Sequence, residues 1–440
     1  MVTELEVWLL GQHIGTLTQA AGRLGFVYTP DWLARKAKGD NITTTPLSQS
    51  LPLRAEHFDN REARPFFAGL LPEGEKRTLI AKALHVSAKN DFGLLDGIGG
   101  ECAGAVTLLE HGQKRPSPNS PQAMRWFDEL QLLRLLDEMP KRPMLAGEDG
   151  LRLSLAGTQD KLPVVAEGKR IGLPLLGAPS SHIIKPAIAA VDGSVFNEGF
   201  CMRLAEGLKL DVAKTSIQKI NDRHYLLVER YDRQLAADGK PAQQQRLHQE
   251  DFCQALGIAP ELKYQNEGGP DLAQCFDLLR RATRPSAPSI LKLLDYVVFN
   301  ALIGNHDAHA KNFSLLYKPD GAVLAPLYDA LSTAIYPNLA DKMAMKIASK
   351  YKFADVQSRH WEQFATAAVL SPAQVKKRIL EIAKRLPDLA RTTHKALDDE
   401  GNSHTIIAKI VTLIEQRCAL TTRRLTAPGN DDMTQEKDES

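Results

Sequence analysis

The sequence predicts an α+β chain in two lobes behind a β-rich N-terminal subdomain. Three observations predict it. Residues 3–28 alternate apolar and polar between turn signals at Gly11-Gln12 and Gly22-Arg23, the pattern of a small antiparallel meander. Short apolar runs follow one another between 151 and 188 (LRLSLAG, KLPVVAE, RIGLPL, HIIKPAI) and read as strands. Beyond Gln249, three- and four-residue apolar spacings dominate, which makes the C-terminal lobe mainly helical.

The elements follow in order. Residues 61–86 read as helix, with Phe66, Phe67, Leu70 and Leu71 apolar, a break at Pro72, then Leu79, Ile80 and Leu84. A short helix starts at Asn90, whose side-chain oxygen suits an N-cap, and runs through DFGLLDGI. HGQKRPSPNSPQ (111–122) is rich in Pro, Ser and charge and reads as a linker or long exposed loop. Residues 123–147, with MRWFDELQLLRLLDEM, carry helical spacing. After the four apolar runs come a helix near 196–208 and two strands, TSIQKI and HYLLVERY. FSLLYKPDGAVLAPLYD is a hairpin closed by Pro-Asp-Gly, and helices resume from 354 to 426. The division expected is 1–110, a linker 111–122, a mixed region 123–248, a helical lobe 249–426 and a disordered polar tail 427–440.

Composition narrows the function classes. A formal net charge of +2 gives no global argument for nucleic acid, so any DNA contact needs a local patch or a partner. The five cysteines are scattered, with no CxxC pair, which fits reduced thiols and a cytoplasmic protein. The N-terminus has acidic residues where a signal peptide wants lysine or arginine, and no apolar run is long enough to span a membrane.

The chemistry concentrates at GNHDAHAKNFSLL (304–316). Phosphoryl transfer from ATP needs a carboxylate to orient the attacking hydroxyl and oxygen ligands that hold magnesium against the phosphates. Asp307 and Asn312 have the D-x-x-x-x-N spacing of protein-kinase-like folds, and the following hairpin delivers Asp329 as a second acidic residue. In this reading Asp307 is the base, Asn312 and Asp329 hold the metal, and His309 and Lys311 steady the transferred group. The two histidines with Asp307 leave a metal hydrolase open, although zinc needs three convergent ligands. Upstream, AGTQDK (156–161) is a polar loop between strands, able to offer backbone N–H groups to phosphate. Lys185 ends the apolar run HIIKPA, and Glu229 to Tyr231 could present backbone groups to adenine. DGIGGECAGAVTL (96–108) competes as a glycine-rich phosphate loop, but no helix opens after it, and it reads as tight packing.

SLAGTQDK, SHIIKPA, VERYDR, GNHDAHAKNFSLL and PLYDALS, with FFAGLLPEGE and GGECAGAVTLL upstream, resemble in this order the HipA family of bacterial serine/threonine kinases. The resemblance covers about 1–425 and implies a protein-kinase-like two-lobe fold with an appended N-terminal region. It implies the toxin of a type II toxin–antitoxin pair, partnered by a HipB-like helix-turn-helix antitoxin that carries most contact with operator DNA. The family's target, glutamyl-tRNA synthetase, is implied as substrate, with growth arrest and persistence as outcome. Carried onto this chain, the resemblance implies ATP contacts at Ala156, Gly157, Thr158, Gln159, Asp160, Lys161, Lys185, Glu229, Arg230, Tyr231, His309, Ala310, Lys311, Asn312, Tyr328 and Asp329. It places the catalytic aspartate at Asp307, magnesium on Asn312 and Asp329, and self-phosphorylation on Ser154. Two other classes remain: a small-molecule phosphotransferase of the aminoglycoside or choline kinase type, and a catalytically idle co-repressor.

Overall fold

Leu5, Val7 and Leu9 alternate inward and are fully buried, so the first strand lays one face on a core, as its period of two requires. In the computed structural model, which describes residues 3–38, 45–113, 124–148, 150–175, 177–234 and 245–427, that strand belongs to a four-stranded antiparallel sheet. Its order is β3-β2-β1-β4, formed by β1 (Glu4–Leu9), β2 (Gln12–Ala20), β3 (Arg23–Tyr28) and β4 (Val106–Glu110). Helices α1 (Pro30–Lys38), α2 (Asn60–Gly69), α3 (Gly74–Ala83) and α4 (Asp91–Ile98) complete the N-terminal unit. The helical stretch expected over 61–86, with its break at Pro72, is the pair α2 and α3. Asp59 and Glu62 form a capping box on α2, and Asn90 caps α4 through the Gly93 N–H.

A second sheet of six strands runs β5-β7-β6-β8-β10-β9. Its strands are β5 (Met124–Trp126), β6 (Leu162–Glu167), β7 (Arg170–Pro174), β8 (His182–Pro186), β9 (Thr215–Ile220) and β10 (Arg223–Glu229). Two expectations are corrected here. Residues 124–126 are an edge strand, and the helix expected over 123–147 is confined to α5 (Glu129–Glu138), which starts after the capping box of Asp128. LRLSLAG is no strand: it makes only isolated bridges, Leu153 to Glu101 and Gly157 to Pro72. Its backbone bonds go to the N-terminal unit, not to the sheet. Helix α6 (Ser194–Gly207) lies beneath β9 and β10.

The remaining described elements are β11 (Arg233–Gln234), β12 (Gln245–Arg246), β13 (His248–Asp251), α7 (Phe252–Leu256), α8 (Leu272–Ala282), α9 (Ser286–Ile303), β14 (Ser314–Lys318), β15 (Gly321–Leu324), α10 (Ser358–Ala367), α11 (Pro372–Asp399) and α12 (Thr405–Thr426). Helix α9 is long and apolar enough to span a bilayer, but Leu293, Val298, Phe299, Leu302 and Ile303 are fully buried in the helical core. The core divides into two clusters. One joins the N-terminal unit to β6, β7 and β8; the other joins α6 to the helical lobe. The linker expected at 111–122 falls largely, and the tail at 427–440 almost wholly, outside the described residues.

Candidate active site

Helix α9 ends where Gly304 takes φ +77°, a left-handed turn that also leaves no room for a side chain: a Cβ there would meet Leu413 and Ala334 at 2.7 and 2.8 Å. The chain then forms a loop tied by its own polar groups. Asn305 Nδ2 donates to Asn300 Oδ1 at 2.9 Å, Asn305 Oδ1 accepts the Asp307 N–H, and Asn312 Nδ2 donates to the Asp307 carbonyl at 3.1 Å. The five-residue spacing thus closes one turn, with Asp307 and Asn312 on the same loop. Among the described residues Asn312 Oδ1 accepts no hydrogen bond, which leaves it able to act as a ligand.

Asp329 follows the β14–β15 hairpin and adopts φ +58°, uncommon for a residue with a side chain and a form of local strain that concentrates at functional sites. Its Oδ1 accepts from Lys185 Nζ at 2.7 Å, and the same ammonium donates to Glu198 Oε1 at 2.6 Å. Although burial works against its charge, Lys185 is carried above the usual lysine range by Asp329 and Glu198. Burial likewise opposes the Asp329 carboxylate, but Lys185 and Lys161 hold it below the usual carboxylate range. Desolvation and the neighbouring Lys185 push Lys161 down to about 8. Lys185 thus pairs directly with Asp329 while Lys161 acts on it from farther off, which gathers positive charge where phosphate oxygens could be received.

Ser154 is fully buried, its hydroxyl donating to the Leu70 carbonyl at 2.8 Å. The loop after it is drawn towards the N-terminal unit: the Glu73 N–H donates to the Gly157 carbonyl at 3.0 Å, and Lys76 pairs with Asp160 at 2.7 Å. Lys161 Nζ crosses the loop to the Ala156 carbonyl at 2.6 Å. That bond needs the φ of +110° at Gly157, where a Cβ would meet the ammonium at 2.7 Å. Thr158 is exposed and Gln159 half-buried.

Other expected contacts are placed less directly. The Arg230 guanidinium turns away into a buried ion cluster with Asp232 and Glu101, so only its backbone remains for a nucleotide. Glu229 is half-exposed beside Lys214. The Tyr231 ring stacks on Tyr328 with centroids 5.6 Å apart, and its N–H has no protein partner among the described residues. Tyr328 donates to the Lys311 carbonyl at 2.7 Å. The Lys311 ammonium is committed elsewhere, to Asp251 at 2.7 Å, rather than to the cleft. Ala310 is fully buried. Burial, helped by Lys263, pushes His309 down to about 3, so its ring is neutral at pH 7; among the described residues its buried Nδ1 has no hydrogen-bond partner. The glycine-rich 96–108 segment is structural, as read: buried Glu101 takes bonds from Arg230, Arg233 and Arg246, locking the N-terminal unit to the end of β10.

Three residues escaped sequence reasoning. Glu198 had a signal: an acidic residue inside the otherwise uncharged run SVFNEGFCM, which must find a partner when buried. Glu73 and Tyr264 had none, because their partners lie 190 and 43 residues away.

The sequence profile of the HipA-like C-terminal domain matches residues 153–390, and that of the HipA N-terminal domain matches 5–109. The chain belongs to the HipA family. It is 46% identical over 412 residues to Y4mE of Sinorhizobium fredii, designated a kinase, covering 93% of this chain and 95% of that one. It is 29% identical over 392 residues to the serine/threonine-protein kinase toxin HipA of Shewanella oneidensis, covering 86% and 87%. The solved structure of HipA from a Shewanella oneidensis HipA, HipB and operator DNA complex superposes with a TM-score of 0.82 at 27% identity, over 96% of this chain and 98% of that one. The six-stranded sheet above a helical lobe is thus the two-lobe fold of a HipA protein, with the β-rich N-terminal subdomain expected.

The donors suit magnesium better than zinc. Asn312 and Asp329 offer hard oxygens, and among the described residues no group of three or more His, Cys, Asp and Glu gathers as a metal cluster. Among the described residues Asp160 Oδ1, in the 156–161 loop, is a buried acceptor without a hydrogen-bond partner.

Proposed function

We propose that the chain is an ATP- and magnesium-dependent protein serine/threonine kinase, the toxin of a type II toxin–antitoxin module. The observation that carries this reading is the Glu198–Lys185–Asp329 chain of buried contacts, set beside the Asp307–Asn312 loop. Kinases use a strand lysine paired with a helix glutamate to hold phosphates, a loop aspartate to orient the hydroxyl, and an asparagine and a second aspartate for the metal. Magnesium, when bound, would offset phosphate charge from Asn312 and Asp329. Lys185 and Lys161 would bind the phosphates, and the 156–161 backbone would cover them. Tyr231 and Tyr328 would flank the base, with the free Tyr231 N–H as a hydrogen-bond donor. Asp307 would receive the proton of the acceptor hydroxyl as its oxygen attacks the γ-phosphorus and the bond to ADP breaks.

Ser154 is the proposed self-modified residue. Its hydroxyl faces the Leu70 carbonyl with no exposed surface, so a phosphate, with three oxygens and close to two charges, has no room there. Phosphorylation would require the loop to leave, and the modified loop could not return. The module's other members, on this reading, are a HipB-like antitoxin and operator DNA reached mainly through it, all in the cytoplasm. Glutamyl-tRNA synthetase is the candidate substrate. Phosphoproteomics after brief expression tests the whole: new phosphoserines are expected with the wild type and not with Asp307→Asn. Equal phosphoproteomes with growth still arrested would place toxicity in binding instead.

A further inference from the structure

The carboxylate of Asp307 accepts one side-chain hydrogen bond among the described residues, and it comes from outside the catalytic loop. Tyr264 donates its hydroxyl to Asp307 Oδ1 at 2.6 Å. Tyr264 sits in the connection between α7 and α8, held on both sides. Before it, Lys263 pairs with Glu73 of the N-terminal unit at 2.8 Å. After it, the Gln265 N–H donates to the Ala344 carbonyl at 3.1 Å, while Gln265 Oε1 accepts the Lys346 N–H at 2.8 Å. Ala344 in turn donates to the carbonyl of His306, next to Asp307, at 2.8 Å. The Tyr264 ring stands edge-on to His309 with centroids 5.2 Å apart. A side chain with two rotatable bonds, clamped at both flanks, is well suited to fix the rotation of a carboxylate.

A base must present one particular oxygen to the attacking hydroxyl, and misorientation of an otherwise intact group lowers turnover. We propose that Tyr264 is a positioning residue: by holding Oδ1 it presents Oδ2 of Asp307 to the acceptor hydroxyl. The inference rests on the kinase reading. It assigns the α7–α8 connection, with its anchor on the N-terminal unit, a part in aligning the reaction.

Tyr264→Phe keeps the ring against His309 and removes only the hydroxyl. Initial rates of γ-phosphate incorporation from labelled ATP into a dephosphorylated bacterial lysate, at several ATP concentrations, separate kcat from KM. The expected result is a fall in kcat of about tenfold, the scale of one hydrogen bond to a charged group, with the KM for ATP within about twofold of wild type. An unchanged kcat would overturn the proposal, since ring packing alone would then suffice. A raised kcat would also overturn it, making the hydroxyl a plug on the base. A fall matched by a lower Tm and a higher KM would reduce Tyr264 to a structural role. Loss in Asp307→Asn without loss in Tyr264→Phe sinks the inference alone; incorporation by Asp307→Asn equal to wild type sinks the kinase reading with it.

Discussion

The 304–312 loop and the 154–161 loop, proposed to serve catalysis and phosphate binding, are held by different means. Residues 304–312 are braced mainly within their own lobe: by a glycine C-cap, Asn300 on Asn305, Asn312 on the Asp307 carbonyl, and by Tyr264, Thr333 and Ala344 on Asp307 and His306. Residues 154–161 hang from the N-terminal unit, through Leu70, Glu73 and Lys76, each more than 80 residues away. The first loop keeps its shape through contacts that lie mostly in the helical lobe. The second depends on docking between subdomains, which makes it the part of the site that can be displaced.

The largest effect should come from the loop braced within its own lobe. Asp307→Asn preserves its hydrogen-bonding shape but removes the base, and phosphate transfer should drop by about 10²–10⁴-fold with the melting temperature unchanged. A fall in Tm of comparable weight would mean that the loop is not braced in this way and the contrast fails.

Docking should be the pH-sensitive side. Glu250, buried under Ser48, Gln49 and Tyr317 where the N-terminal unit meets β13, is pushed up to about 7 by burial. A carboxyl whose folded pKa is raised binds its proton more tightly when folded. Its contribution is therefore present below the ordinary glutamate range and is lost as pH rises through about 7. Across that window the loss amounts to about 3 kcal/mol at most. Urea melts at pH 5 and pH 8 should diverge for the wild type and converge for Glu250→Gln. Parallel melts for both proteins would remove Glu250 from the account.

A smaller effect sharpens the contrast at the phosphate loop itself. Ser154→Asp sets a carboxylate against the Leu70 carbonyl, which drives the loop from its seat; ATP binding should weaken about tenfold and the Tm should fall with it. Full ATP affinity in that variant would mean that the loop tolerates charge in place, and that self-phosphorylation has some other consequence.

The same division explains what the sequence revealed. The meander, the strands from 162 to 186, the hairpin and the late helices were legible because period and turn residues are local signals. The pairing of Asp307 with Asn312 in one turn was legible because five residues close it, and Asp329 was reached because it ends the hairpin that follows. LRLSLAG misled because its apolar alternation serves burial against another subdomain, not a ladder. Arg230 drew attention through its backbone and Lys311 as a charged group in the 304–312 loop, yet the guanidinium goes to Glu101 and the ammonium to Asp251 and the Gly69 carbonyl. Glu73 and Tyr264 act across distances that no spacing records.

The central claim is that Asp329, strained and held by Lys185, grips a metal–nucleotide complex. Calorimetric titration of ATP into the wild type and Asp329→Asn, each with magnesium and with EDTA, tests it most directly. The account predicts that magnesium tightens ATP binding to the wild type by at least about tenfold and leaves the variant indifferent. Equal magnesium dependence in both proteins, or no ATP binding to the wild type at all, would contradict it.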